Sequence, residues 1–157
     1  MWTYTETDAW DTIILHDCVA ESIRMEGNDL IIDFPDGFRI LPNSPHSSHD
    51  TPVRTGPAQL CFRDAEVDAI DLFPTLRLFR REILCRKVRR ELPWLSQRIN
   101  SGTHRLEFLW EFRRSGFRLY QCWLWQNESR HVTECQLEIR AAEIEYRWNT
   151  ISAEPEY

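Results

Sequence analysis

Hydrophobic and polar residues alternate with a period of two along much of the chain, as is typical of β-strands that bury one face. The pattern is clearest in four runs of the C-terminal half: 106–113, 117–125, 132–139 and 144–148. In the first run, Leu106, Phe108, Trp110 and Phe112 are predicted to share one face, with Glu107, Leu109 and Glu111 on the other. The short connections favour antiparallel neighbours, so this half predicts a four-strand meander.

The N-terminal half shows the same period in shorter runs. Val19, Ile23 and Met25 share a face before the turn residues 26–29, and alternation then resumes to Phe34, which predicts a hairpin with a short loop. Further strands are predicted at 38–41, 60–62 and 67–73. Residues 42–57 hold half of the eight prolines and are predicted to form a long loop, because proline donates no ladder hydrogen bond.

Residues 76–92 fit either a helical stripe or a strand, and the strands on both sides favour the strand. Pro93 is suited to a first helical turn, so residues 94–100 are predicted to form a short helix that stops at Ser101-Gly102. The predicted fold is therefore mostly β, with α+β as a possibility. It is an antiparallel sheet, barrel or sandwich in one domain, 1–157, with one short helix.

Composition narrows the class of protein. The 157 residues are 42% hydrophobic and 28% charged, which is an ordinary globular balance. The N-terminus lacks the basic start and apolar run of a signal peptide, and no apolar run approaches the length of a membrane span. The five cysteines include no CxxC pair, which favours reduced thiols. We therefore expect a cytoplasmic protein without a membrane segment.

Charge is layered along the chain. Residues 1–36 hold nine acids and one base, whereas residues 76–118 hold twelve bases and four acids. The candidate partner surface within the basic segment consists of Arg80, Arg81, Arg86, Arg89 and Arg90. One interpretation of this basic segment is a surface that binds nucleic acid. The net charge of −6 instead favours either ion pairs between the basic strands and acidic strands across the sheet or docking of a charged protein.

Two polar clusters are candidate sites. His16, Asp17 and Cys18 place an imidazole and a thiol on one face of a strand, the arrangement that cysteine chemistry needs. The alternative is a buried cysteine beside a structural aspartate. His46 and His49 are weak candidates for metal ligands, because a Ser/Pro-rich loop is a poor scaffold for a tight site. We expect no bound metal and no cofactor.

The aromatic residues of the meander form a third candidate. Trp110, Tyr120, Trp123 and Trp125 are predicted to line a ligand pocket or, as the two-sided alternation favours, to belong to the core. Large residues on both faces of 117–125 also predict a strand that is covered on both sides.

The N-terminal half resembles a known group of proteins. A Leu-His-Asp element in 15–19 opens a hairpin that ends at 30–34, and 58–62 follow a loop. This order resembles small, β-rich bacterial proteins of uncharacterised families, some of them grouped with the immunity proteins of polymorphic toxin systems. The resemblance covers the first ~75 residues and implies a non-enzymatic protein-interaction role, without catalytic residues. The alternatives are a small-ligand-binding barrel or sandwich with an aromatic-lined pocket, and an enzyme that uses His16 and Cys18.

Overall fold

The computed structural model describes residues 1–78, 81–84, 86–129 and 131–155. In chain order its strands are β1 Tyr4–Thr7, β2 Ile13–Ile14, β3 Cys18–Ala20, β4 Ser22–Glu26, β5 Asp29–Phe34, β6 Arg39–Ile40, β7 Val53–Thr55, β8 Ala58–Arg63, β9 Glu66–Phe73, β10 Thr75–Leu78, β11 Arg81–Leu84, β12 Val88–Arg90, β13 His104–Arg114, β14 Phe117–Gln126, β15 His131–Arg140, β16 Glu143–Trp148 and β17 Ile151–Pro155. The α-helix of the described ranges, α1, spans Leu92–Asn100. The predicted fold class, mostly β with one short helix, is confirmed.

Two large antiparallel sheets pack face to face around one core. The five-stranded sheet has the order β1-β16-β8-β5-β4, and the six-stranded sheet has the order β12-β9-β15-β14-β13-β3. Aromatic rings join them: the ring centroids of Phe34 and Phe108 lie 5.3 Å apart, and those of Phe62 and Tyr120 lie 5.9 Å apart. Neither sheet closes into a barrel, so the sandwich is the correct one of the predicted alternatives.

Two smaller sheets complete the architecture. Strands β17, β7, β6 and β2 form a four-stranded sheet, and β10 pairs with β11 in a separate hairpin. The helix α1 begins with Pro93 in its first turn and ends before Gly102, whose φ is +72°, as the sequence predicted. Asn100 ties α1 to β4, because its side-chain amide accepts from the Ile23 N–H and donates to the Ile23 carbonyl, both at 2.9 Å.

The predicted four-strand meander is wrong in its last strand. Strands β13, β14 and β15 are neighbours, but β16 crosses to the five-stranded sheet and pairs with β1 and β8. The free edge of β15 is occupied by β9, with Leu137 opposite Ile70. The alternating pattern alone cannot distinguish a position beside β15 from a position between β1 and β8. The inward residues of β16, Tyr146 and Trp148, are buried and would be buried in either sheet.

The predicted loop 42–57 contains a strand. Val53 and Thr55 are buried and alternate with Arg54 in β7, which pairs with β6 and β17. The preceding segment is fixed by Glu6, since one carboxylate oxygen accepts from the buried Ser44 hydroxyl at 3.0 Å and the other accepts from the Thr12 hydroxyl at 2.8 Å. A buried hydroxyl with a carboxylate partner orders this proline-rich stretch.

Segment 76–92, for which the sequence fitted either a helix or a strand, contains strands in its described residues. This agrees with the favoured prediction. Strand β12 pairs with β9, and this register brings Arg89 opposite Asp71. Arg89 Nε and Lys87 Nζ donate to the Asp71 carboxylate at 3.0 and 2.9 Å. The Arg89 and Lys87 hydrogen bonds lower the pKa of the buried Asp71 to about 2. Basic and acidic strands therefore do pair across the sheet here.

This pairing predicts an acid-dependent loss of stability. Because the pKa of Asp71 falls from 3.8 to about 2 on folding, its contribution is complete above pH 4 and disappears between pH 4 and pH 2. We expect Asp71→Asn to lower the free energy of unfolding by about 1–2 kcal/mol at pH 7, since both cations are half exposed and partly screened. The difference from the wild type should shrink towards zero at pH 2 in urea titrations. The more exposed Asp68, changed to Asn, is the control and should show a smaller loss, whereas a pH-independent deficit for Asp71→Asn would contradict the prediction.

Candidate functional site

A β-bulge in β13 determines which side chains reach the surface. Phe108 lies opposite Cys122, but the next aligned pair is Trp110 with Gln121, so Leu109 is an extra residue. An extra residue reverses the faces of everything that follows it. The prediction that Trp110 shares a face with Leu106 and Phe108 is therefore wrong, and so is the same prediction for Phe112. The two aromatic residues point away from the core, and Glu111 points into the sandwich, opposite Tyr120.

The reversal creates an exposed aromatic surface on the six-stranded sheet, which we call the aromatic face. Its members project from β13 and β14 on the side away from the core: Trp110, Phe112, Leu119, Trp123 and Trp125. The exposed fractions are 59% for Trp110, 54% for Phe112 and 41% for Trp123. The prediction that the strand at 117–125 is covered on both sides is wrong. Only the inner face of this strand, β14, is buried, with Tyr120, Cys122 and Leu124.

Arginine residues lie at both ends of the aromatic face. Arg105 is opposite Trp125, and its guanidinium lies 5.5 Å from that ring; Arg114 is opposite Phe117 at the far end. Within the described part of the chain, neither arginine takes part in an ion pair. Glu107 lies opposite Trp123 and accepts a hydrogen bond from Trp125 Nε1.

The outer face of the five-stranded sheet has the opposite character. Ion pairs and hydrogen bonds form a continuous network over it, made by Arg24 with Asp33, Asp33 with Gln59, Gln59 with Arg147, Arg147 with Glu145, Glu145 with Arg63 and Arg63 with Asp29. The long side chains cover Ile31 and Cys61, which are buried although their strand positions point outwards. This face is closed by its own charges, whereas the aromatic face is open.

A cleft of about 200 Å³, which we call the edge cleft, lies where the turn after β2 meets β13. Ile13, Leu15 and Phe108 form its apolar wall. The remaining lining residues are Trp10, Ile14, His16, Leu109, Trp110, Glu111, Arg113 and Tyr120. The edge cleft therefore adjoins the aromatic face at Trp110 and combines an apolar wall with convergent polar groups, as ligand sites do.

Glu111 is the electrostatic centre of the edge cleft. Its Oε1 lies 3.1 Å from Arg113 Nε and 3.5 Å from Arg118 Nε, and it accepts from the Tyr120 hydroxyl at 3.4 Å. Burial raises the pKa of Glu111, and the two guanidinium groups oppose this shift. Burial also raises the pKa of Tyr120 well above its ordinary value, so the phenol stays protonated and donates.

The three residues of the polar cluster 16–18 separate in the structure. His16 and Asp17 form a turn with Asp17 in the left-handed region at φ 59°, and only Cys18 belongs to β3. The His16 Nδ1 atom bonds to the Leu109 carbonyl at 2.6 Å, and Nε2 lies 3.3 Å from Asp17 Oδ1. Cys18 is fully buried on the core side, so the shared face predicted for the thiol and the imidazole does not form.

The candidate aromatic pocket is also divided. Tyr120 is buried inside the sandwich, whereas Trp110, Trp123 and Trp125 lie on the aromatic face. Trp110 and Tyr120 nevertheless both line the edge cleft. His16 packs against Trp110, with ring centroids 5.0 Å apart. The structure therefore brings together one residue of the polar cluster 16–18 and one residue of the candidate aromatic pocket.

The candidate basic surface does not form one patch among its described members. Arg89 points outwards to Asp71, and Arg90 points to the other side of β12, where its guanidinium lies 5.1 Å from the Trp94 ring. Arg81 on β11 and Arg86 are both exposed. Arg80 lies outside the described residues.

A second cleft of about 220 Å³ lies between α1 and the end of the six-stranded sheet. Trp94, Arg90, His104, His131 and Thr133 are among the residues that line it. Burial and the nearby Arg98 lower the pKa of His104, which favours the neutral imidazole. The Arg98 guanidinium lies 4.0 Å from the Trp94 ring, so both arginines beside this tryptophan are engaged by it.

The two candidate metal ligands have other surroundings. His46 packs edge-on against Tyr4 and Trp148, with ring centroids 5.2 and 5.5 Å away, and its Nε2 lies 3.5 Å from Glu6 Oε1. The backbone N–H of His49 donates to the Ser47 hydroxyl. Among the residues that the structure describes, no group of three or more His, Cys, Asp or Glu side chains is arranged to hold a metal ion.

Sequence reasoning missed Trp10, Phe112 and Arg113 as site residues. Their signal was weak, since Trp10 precedes the first long run and the Phe112 pattern matched a core position. Within the described ranges, no helix has the length and apolar character that a membrane crossing requires. The chain matches no protein-family profile, no curated protein and no solved structure.

Proposed function

We propose that this protein is a non-enzymatic interaction module that binds another protein through its aromatic face. The observation that carries the proposal is the exposure of Trp110, Phe112 and Trp123 together on one face of a sheet whose opposite face is buried in the core. Monomeric proteins rarely leave a contiguous apolar patch open to water, and tryptophan is enriched among the residues that dominate binding energies.

The dimensions of the aromatic face suit a protein partner. Five rows of paired residues run from Arg105 to Arg114, and the four intervals between them, at about 6.8 Å each, give a length of about 27 Å. A standard protein interface buries about 800 Å² on each side, with an apolar centre and a polar rim. The outward-facing side chains of β15 supply such a rim, since Glu134 lies opposite Trp123 and accepts a hydrogen bond from the Gln121 side-chain amide at 2.9 Å.

Charge favours a partner with acidic groups at both ends of an apolar patch. Arg105 and Arg114 lack ion pairs among the described residues, so carboxylates of a partner could form ion pairs with both guanidinium groups. A second copy related by a two-fold axis through the centre would bring Arg105 of one chain towards Arg114 of the other. That arrangement places like charges together, which disfavours self-association through this face.

The experiment is site-specific photo-crosslinking from two faces. We expect Gln121→p-benzoylphenylalanine, at the centre of the aromatic face, to crosslink a distinct protein in cells, which mass spectrometry identifies. The matched variant Glu143→p-benzoylphenylalanine is exposed on the five-stranded sheet and should not capture that protein. Binding must then be reproduced with both purified proteins, because capture alone does not show a specific complex.

Three results would contradict the proposal. They are equal crosslinking from the two faces, crosslinks only to a second copy of the chain, and a purified complex whose affinity is independent of the aromatic face.

We also propose a cytoplasmic location. The described thiols Cys61, Cys122 and Cys135 are buried, and burial raises the pKa of Cys135 to about 12, so this thiol stays protonated. Cys122 and Cys135 lie directly opposite each other on β14 and β15 as thiols, which is compatible with a reducing compartment.

A further inference from the structure

We infer that the edge cleft is a binding site for a small carboxylate with a compact apolar body. The inference goes beyond the proposed protein interaction and depends on a different charged group, Arg113, although Trp110 belongs to both sites. Its volume of about 200 Å³ exceeds the roughly 150 Å³ of an apolar cavity that accommodates benzene. The volume of the edge cleft is therefore sufficient for a six-membered ring with one carboxylate.

Arg113 is the group that would recognise the carboxylate. Its guanidinium is held on its face by Trp10, 3.9 Å away, and at its Nε edge by Glu111, 3.1 Å away. Across the described residues, Arg113 has no further ion pair or hydrogen bond, so its terminal N–H groups are available. A guanidinium that is fixed in place and open at its fork matches the two oxygens of a carboxylate.

The apolar wall would recognise the body of the ligand. Ile13, Leu15 and Phe108 are almost completely buried, and they approach the cleft from β2, the turn after it and β13. Trp10 and Trp110 stand at the surface, with exposed fractions of 52% and 59%. A flat or branched hydrocarbon of this size would bury its apolar surface mainly against Trp10 and Trp110, which favours binding over a short polar acid such as acetate.

The other charged groups near the cleft allow an anion. Glu111 lies between Arg113 and Arg118, and Asp8 is 3.5 Å from Arg118 on its exposed side. Burial raises the pKa of Glu111, whereas Arg113 and Arg118 oppose this shift. Asp17 is paired with Arg39 at 3.5 Å, with His16 between it and the cleft. Within the described residues, Arg113 therefore shares its one carboxylate partner, Glu111, with Arg118.

The test uses benzoate and cyclohexanecarboxylate as probes, with acetate and benzamide as controls. Acetate lacks the apolar body and benzamide lacks the charge. We expect calorimetry to show binding of both probes and of neither control, and the indole N–H signals of Trp10 and Trp110 to shift in ¹H–¹⁵N spectra. Equal binding of benzamide, or no binding of either probe at millimolar concentration, would overturn the inference.

Three variants assign the interaction. We expect Arg113→Met to weaken benzoate binding at least about tenfold, and Arg113→Lys to weaken it less, because lysine keeps the charge without the fork. Glu111→Gln should retain or improve affinity, since it removes a negative charge from the lining. Arg114→Met is the matched control on the opposite face and should leave affinity unchanged. If Arg113→Met does not fold, the affinity of Arg113→Lys for benzoate is the test. An affinity equal to that of the wild type in this variant would contradict the inference.

Failure here is distinguishable from failure of the proposed protein interaction. The cleft experiment measures a small molecule on the isolated chain, and Arg113 points away from the aromatic face. Loss of benzoate binding in Arg113→Met with unchanged crosslinking from position 121 would show two independent sites.

Discussion

Replacing Gly37 with alanine is expected to lower the free energy of unfolding by about 3–5 kcal/mol, the largest effect of any single substitution considered for this chain. Gly37 has a φ of +74°, which a side chain makes unfavourable, and a Cβ atom there would overlap the Thr55 side chain and the carbonyls of Thr55 and Gly56. Two of these obstacles are backbone atoms, so no rotamer change relieves them. Urea denaturation monitored by tryptophan fluorescence measures the effect.

The location of Gly37 explains why the structure cannot adapt easily. It lies between β5 of the five-stranded sheet and β6 of the four-stranded sheet, and its N–H donates to the Phe34 carbonyl. The Thr55 hydroxyl that a Cβ would displace accepts from the Phe38 N–H at 2.9 Å. Relief of the overlap would therefore break the contact between β6 and β7.

Gly27→Ala is the matched control. Gly27 has a similar φ of +63°, but a Cβ atom there would meet nothing within 4 Å. Only the left-handed conformation is then unfavourable, which costs about 1–2 kcal/mol. Equal losses in the two variants would show that close packing at Gly37 is not what limits this position.

Replacing Trp110 and Trp123 together with alanine is expected to weaken partner binding at least about 100-fold. Interface hot spots contribute ~2 kcal/mol or more each, and 1.4 kcal/mol corresponds to a factor of ten, although neighbouring contributions do not add fully. The measurement is the dissociation constant with the purified partner that crosslinks from position 121. Met25→Ala, at a similarly exposed residue of the five-stranded sheet, should leave the affinity unchanged.

The same double variant separates a docking role from a core role. The two tryptophans are 59% and 41% exposed, so we expect their removal to change the free energy of unfolding by less than about 1.5 kcal/mol. Core tryptophans would cost about 3–5 kcal/mol each. A double variant that unfolds, or one that binds normally, would contradict the assignment of the aromatic face.

Much of the fold could be predicted from local patterns. Alternation identified the paired strands β4 and β5 and the long strands β13, β14 and β15, while Pro93 and Gly102 bounded α1. These features depend on the period of two, on fixed proline φ and on glycine at positive φ, all of which are local. The position of β16 in the five-stranded sheet is not determined locally. It depends on long-range pairing, because β9 pairs with the edge of β15 that β16 would otherwise occupy.

The candidate site depends on features that are not local. One extra residue, Leu109, turns Trp110 and Phe112 outwards and Glu111 inwards, and no residue type in this run marks the bulge. The edge cleft further requires the segment around Trp10 to lie against Arg113, about a hundred positions away in sequence. The sequence assigned His16 to one candidate site and Trp110 and Tyr120 to another, but only the register of the sandwich shows that the three residues line one cleft.

The most direct test of the central claim is hydroxyl-radical footprinting of the chain with and without its crosslinked partner. The aromatic face provides reactive side chains at Trp110, Phe112 and Trp123, and Met25 on the five-stranded sheet provides an internal reference with a similar exposed fraction. We predict that the partner strongly reduces oxidation of the three aromatic residues and leaves oxidation of Met25 unchanged. Protection of Met25 with unchanged oxidation of Trp110, Phe112 and Trp123 would contradict the account.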